Sequence, residues 1–329
     1  MPDVDERKYA TFVTGGAPRI AVSMVVGALA GLFLLATESQ TRGASTDFNL
    51  TWLAAKAVLA GQNPYELIGP GKLHPEGGYP YIYPLTAAVF ALPLALIPSY
   101  WATALFVSIG AGLLAFAVTK DGWRRLPLFL SMPYIIAARQ GQWSPLLSAA
   151  FCIPALAGVL SAKPTLGFAL LAAAGSRRTL VFAVVGGLFL TTVGLVLVPT
   201  WPLDWFQTLT ATRHLRAPVL QPGGFVALLA LLRWRRPEAR LIALLACVPQ
   251  TVGWYEVVPL FLVAVTFRET LILAILSSMP VLYEVWYGAA DGFFDFTPRG
   301  FQMAAFAYMP AVALVLLRKN EWREASHYH

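Results

Sequence analysis

Apolar residues run along the chain in blocks at 20–37, 82–98, 100–119, 126–138, 144–160, 165–174, 179–198, 219–232, 239–251, 255–267, 270–287 and 301–317, separated by polar connections. A perpendicular bilayer crossing takes roughly 20 residues, so the blocks 126–138, 165–174, 239–251 and 255–267 are short for one. Short blocks survive in lipid only where protein or a water-filled groove covers their ends, because an unpaired backbone group in hydrocarbon costs several kcal/mol. The pattern predicts an all-α polytopic membrane protein with about 12 transmembrane or half-spanning helices and a cavity inside the bundle.

One stretch interrupts the apolar rhythm. Residues 38–81 gather acids, amides, tyrosines and prolines between the first two blocks. Within them Phe48, Trp52, Ala55 and Leu59 recur at helical spacing, which predicts an amphipathic helix over 48–60 lying on the membrane surface, with Asp47 at its N-cap. Pro64, Pro84, Pro98, Pro164, Pro202, Pro218 and Pro298 mark segment ends. No fixed-period repeat, inverted repeat or low-complexity linker is visible, so residues 1–329 read as a single integral membrane domain with outer loops at 38–81 and 199–218.

Composition agrees with this reading. The chain is 57% hydrophobic and only 12% charged, with a mean hydropathy of +0.63, whereas soluble domains run at about 25% charged. The first apolar stretch is longer than a signal-peptide core and no small-residue cleavage pair follows it cleanly, so it is expected to remain as an anchor. Cys152 and Cys247 lie in apolar blocks, and His74, His214, His327 and His329 are scattered, which gives neither a disulfide framework nor metal-ligand spacing. The net charge of +7 requires no nucleic-acid partner, because Lys and Arg flank spans on the cytoplasmic side. Arg7, Lys8, Arg19, Arg177, Arg178, Arg233, Arg235, Arg236, Arg240, Arg318 and Lys319 then put both termini inside a cytoplasmic membrane, with 38–81, 161–164, 199–218 and 288–300 outside. The run Lys120–Arg125 disagrees: twelve crossings place it outside, although its charge argues for inside, and re-entrant half-helices between 82 and 175 would repair the sign. The same count puts Arg139–Gln142 inside.

Asp47 is the lone Asp of the loop straight after the first span. One reading makes it an ordinary helix cap; the other makes it a general base held at a rigid point and kept ionised by the helix dipole. The two are compatible.

Asp47-Phe48, Trp52, Ala54-Ala55, Leu59, Gly61, Pro64-Tyr65, Tyr83-Pro84 and Pro93-Leu94-Ala95-Leu96-Ile97-Pro98 resemble the start of glycosyltransferase family 87. Those enzymes are mannosyltransferase-like membrane proteins of the GT-C architecture that use polyprenyl-phosphate sugars. The likeness continues through Gly141-Gln142, Lys163-Pro164 and Trp254-Tyr255-Glu256, over roughly residues 45–265. It implies a GT-C-like fold and an inverting transfer of a mannose-like or other sugar from a polyprenyl-phosphate donor to a lipid-linked or envelope glycan, on the outer face of the membrane. Asp47 would take the proton of the acceptor hydroxyl, since a sugar hydroxyl is a poor nucleophile without a base. The leaving phosphate needs cations, for which Lys163, Arg213, His214 and Arg216 are the candidates in outer connections. Tyr65, Tyr83, Trp254 and Tyr255 would line the substrate site. Two positions depart from the family pattern: Tyr83-Pro84-Leu85 replaces Tyr-Pro-Pro, and Glu256 stands where the family has a His, as a second acid/base or a group that orients a hydroxyl. No cofactor is expected, and although Asp47, Glu66, Glu76 and Asp204 are oxygen ligands suited to a divalent ion, their spacing does not call for one.

Other polar residues read more simply. Glu284 lies in an apolar block, where an acid is a functional candidate, but it is close to the interface; Asp291 and Asp295, like Trp201, Trp205 and Phe206, read as interfacial features. A transporter or flippase of lipid-linked sugars would instead concentrate paired charges at mid-membrane. A non-catalytic subunit on the same scaffold is the remaining alternative, kept open by Glu256.

Overall fold

The computed structural model describes residues 16–37, 46–75, 79–174, 176–211, 216–250, 253–287 and 296–318. Their regular elements are all helices, and among them the only β pairings are isolated bridges at Ile68–His74 and Arg216–Gln250. Four helices are long and apolar enough to cross a bilayer: Gly16–Thr37, Ser99–Val118, Arg177–Leu197 and Arg299–Leu317. Their outer faces carry exposed side chains such as Met24, Leu188, Phe189 and Val196, an apolar belt that water would not tolerate. This is the architecture of an α-helical membrane protein. The other blocks are interrupted rather than spanning as single helices. The stretch predicted at 126–138 breaks at Ser131 into Trp123–Leu130 and Met132–Arg139, and the Met132 amide released by the break donates to Ser278 Oγ at 2.9 Å, as an apolar surround requires. Besides the short turns Leu94–Leu96 and Pro218–Leu220, the longer segments Trp123–Leu130, Pro154–Ala162, Gly224–Arg233 and Trp254–Val263 wind as 3₁₀ helices. At about 2.0 Å per residue a ten-residue 3₁₀ segment spans about 20 Å instead of about 15 Å, which lengthens blocks that looked too short.

Close helix contacts rest on small residues. Gly27 and Gly31 face Ser108 and Gly112, and a Cβ on Gly27 would meet Ser108 O at 2.7 Å. Gly158 and Gly186 touch so closely that a Cβ on either meets the other's Cα at 2.8 Å. Such pairs let backbones approach where lipid offers no hydrophobic drive for association.

Arginines cap carbonyl ends across the molecule. Arg19 donates to Phe116 O at 2.7 Å, Arg124 to Val265 O at 2.9 Å, Arg125 to Ala264 O at 2.8 Å, Arg233 to Leu316 O at 3.0 Å and Arg318 to Val263 O at 3.0 Å. Arg318 also pairs with Glu269 and Glu238. The basic loop Lys120–Arg125 thus sits at the same end as Arg318, opposite to what twelve simple crossings require. One predicted crossing accounts for the difference, and a second restores the count downstream. Residues 85–97 turn back, with Ile82 O held by Trp205 Nε1 at 2.9 Å and Ile97 O by Trp52 Nε1 at 3.0 Å. Residues 144–162 form a hairpin of two short helices, Ser144–Cys152 and Pro154–Ala162, bent at Ile153.

The helix expected in the first outer loop is present as Asp47–Leu59, but it does not lie on a surface. Phe48, Asn49, Leu50, Thr51, Ala54, Ala55, Ala57 and Val58 are all buried, because Leu85–Ala91 packs on one side and Ser99–Val118 on another. Beneath its first turn Trp143 is fully buried among Phe48, Tyr83, Phe90 and Phe106, with Phe48 stacked on Phe106 at 4.1 Å.

Candidate active site

Asp47 is the first residue of its helix; the cap position belongs to Thr46, whose side chain makes no capping bond. The carboxylate is therefore not occupied with the helix end. Its Oδ2 accepts from the side-chain amide of Gln142, and its backbone N–H donates to Gln140 O at 2.9 Å. The Gln140–Gln142 turn, expected on the opposite face of the membrane, is thus bound directly to Asp47. The reason is that residues 85–97 turn back instead of crossing, and the 144–162 hairpin then returns Lys163 to the same side.

At the hairpin's other end Lys163 Nζ meets Glu256 Oε1 at 2.7 Å and lies 5.2 Å from the centre of the Tyr255 ring. Glu256 is 1% exposed and Lys163 8%, so the pair is screened from solvent. Both act on Asp47. Burial pushes the Asp47 carboxyl above the usual carboxylate range, the Gln142 amide and the Lys163 ammonium pull it back, and Glu256 adds a smaller push upward. Tyr83 is buried in the same field; desolvation, then Asp47, Tyr255 and Glu256, hold its phenol well above its ordinary value, so it stays protonated. Tyr79 feels Asp47 as well. Residues 47, 83, 142, 163, 255 and 256 therefore meet at one place, an acid and an ion pair ringed by phenols.

The chain has no match among the models of known protein families, among curated proteins or among solved structures.

The remaining predicted site residues fall elsewhere or serve the scaffold. Tyr65 is buried, its hydroxyl donating to Tyr83 O at 2.9 Å and its carbonyl accepting from Lys72, so it braces the loop rather than facing a ligand. Trp254 is buried, with an indole N–H that finds no acceptor among the described residues. Arg216 is exposed, and its backbone bridges to Gln250. Arg213 and His214 lie outside the described residues, as do Glu76, Asp291 and Asp295. Asp204 accepts from Asn63 at 2.8 Å and from Thr200 at 2.7 Å, tying Trp201–Ala211 to the first outer loop. Trp205 joins that tie through Ile82 and Trp201 is buried, while Phe206 is exposed as an interfacial side chain would be. Glu284 pairs with Arg299 at 3.6 Å. Among the described residues no group of three or more His, Cys, Asp or Glu is arranged to hold a metal ion.

Two residues near Glu256 escaped the sequence reading. Gln250 donates to Tyr308 Oη at 3.5 Å, and Tyr308 lies within electrostatic reach of Glu256. Tyr308 ends a π-helical stretch, Ala304–Tyr308, a distortion frequent at functional sites. A polar Gln in an apolar block was the one available signal.

Proposed function

We propose that this protein is an inverting glycosyltransferase of the family-87 kind, set in the cytoplasmic membrane. It moves a sugar from a polyprenyl-phosphate donor to a hydroxyl of a lipid-linked or envelope glycan. One observation carries the reading: Asp47, Gln142, Lys163 and Glu256, which stand in four separated motifs of the resemblance, meet at one site. Asp47, whose proton affinity burial has raised, takes the acceptor's proton as that oxygen attacks the anomeric carbon. The bond from that carbon to the phosphate oxygen breaks, and the electron pair leaves on the polyprenyl phosphate. Lys163 is the cation beside the leaving group, where a charge in a dry site is worth most. The arginine-rich end faces the cytoplasm by the positive-inside rule, and the Asp47 end faces outward.

The Lys163–Glu256 pair favours one competing reading, a non-catalytic subunit on the same scaffold, because the ammonium is already matched by a carboxylate. The test is transfer by purified protein in lipid nanodiscs, given a panel of radiolabelled polyprenyl-phosphate sugars and membrane lipid extract. Wild type should transfer label from one donor, and Asp47→Asn should lose at least about a hundredfold while remaining folded. Undiminished transfer by Asp47→Asn rules out the base. A folded wild type inert with every donor favours the subunit.

A further inference from the structure

Gln142 has no part in the chemistry above, yet it is the side chain bonded to Asp47. An ionised carboxylate only accepts hydrogen bonds, so the amide must turn its NH₂ toward Asp47 and its carbonyl oxygen away. Behind Gln142 lies a narrow crevice lined by Phe106, Tyr134, Ala138, Gln142 and Pro145. Gln142 Oε1 and the Tyr134 hydroxyl are both buried and have no hydrogen-bond partner among the described residues, so nothing among them pulls the amide round the other way. The turn that carries Gln142 is fixed independently. Gly141 has φ +63°, and a Cβ on it would meet Thr103 Cγ2 at 3.0 Å and Phe48 Cβ at 3.1 Å. The Asp47 N–H bond to Gln140 O then ties the backbone of base and turn together at 2.9 Å.

We propose that Gln142 is the positioning residue for Asp47: it binds Oδ2 and so leaves Oδ1, which no protein donor reaches among the described residues, as the oxygen that receives the acceptor's proton. This rests on Asp47 being the base. The other groups facing Asp47 are Lys163, Glu256, Tyr79 and Tyr83, and all of them remain when Gln142 is changed. Without the amide the carboxylate loses its orientation and one of the two influences that favour its ionised form.

The test is Gln142→Met, which keeps length and volume but has no N–H. Two readouts are taken against pH. One is modification of the Asp47 carboxyl by dicyclohexylcarbodiimide, which attacks the protonated acid, followed by peptide mass spectrometry. The other is kcat with whichever polyprenyl-phosphate sugar the wild type uses. The labelling midpoint and the acid limb of kcat should both rise by about one pH unit, with kcat falling and KM little changed. Tyr134→Phe alters the same crevice without touching Asp47 and should label as wild type does. If Gln142→Met does not assemble, Gln142→Asn, one methylene too short to reach, carries the same expectation. A wild-type midpoint in a folded Gln142 variant, beside an inactive Asp47→Asn, overturns the positioning role alone. Full transfer by Asp47→Asn overturns the base, and this role with it.

Discussion

At the residue scale the site is a balance of opposing influences on one carboxyl. Desolvation raises the proton affinity of Asp47 and its neighbours partly undo this, so the acid limb of transfer should lie above the usual Asp value of about 3.9. In the proposed mechanism the ionised form is the working one, so activity should be lost as pH falls through the Asp47 pKa. Glu256→Gln removes a negative neighbour and frees Lys163 to act on Asp47, so the limb should move to lower pH in a pH–rate profile. The ion pair itself is a structural liability when broken. Lys163→Met leaves Glu256 charged and buried, an expected loss of about 3–5 kcal/mol, readable as a lower thermal midpoint in detergent. The double variant Lys163→Met/Glu256→Leu should recover most of that stability, since apolar replacements of buried pairs are often neutral. Much of this was legible. Asp47, Lys163, Tyr83, Tyr255 and Glu256 were readable as candidates from residue type and motif order. What binds Asp47 was not, because Gln142 lies 95 residues away and local periodicity says nothing about distant partners.

At the element scale, local pattern located some helix ends but not the breaks inside the apolar blocks, and neighbours decided what the helices do. The Asp47–Leu59 helix was predicted to within a residue at each end, yet its second buried side comes from Leu85–Ala91 and Ser99–Val118, which its own periodicity cannot reveal. The 144–162 hairpin defeated a block count because an apolar run of that length fits either one crossing or a descent and return. Its contact with Arg177–Leu197 runs through Gly158 and Gly186. Since each Cβ would fall 2.8 Å from backbone, Gly158→Val should push the helices apart and cost about 1–3 kcal/mol, lowering the thermal midpoint. Because that hairpin carries both Gln142 and Lys163 at its ends, the same change should weaken transfer without touching the site.

At the scale of the whole molecule, the Asp47 end and the arginine end are chemically distinct, and the proposed orientation can be read from outside. In a background with Cys152 and Cys247 replaced by Ala, single cysteines at Ala60 and Asp121, both exposed, should react with an impermeant maleimide from opposite sides of the membrane. Labelling of both from one side would discard the proposed topology. The arginine end has a further consequence. Arg19, Arg125, Arg233 and Arg318 are bonded to carbonyl oxygens in partly buried positions, so these four guanidinium groups act as internal fasteners more than as a positively charged coat. Mobile ions weaken attraction between exposed charges beyond a screening distance of about 8 Å at physiological strength, but reach partly buried contacts far less. A protein this basic should therefore keep nearly the same melting temperature from dilute buffer to concentrated brine.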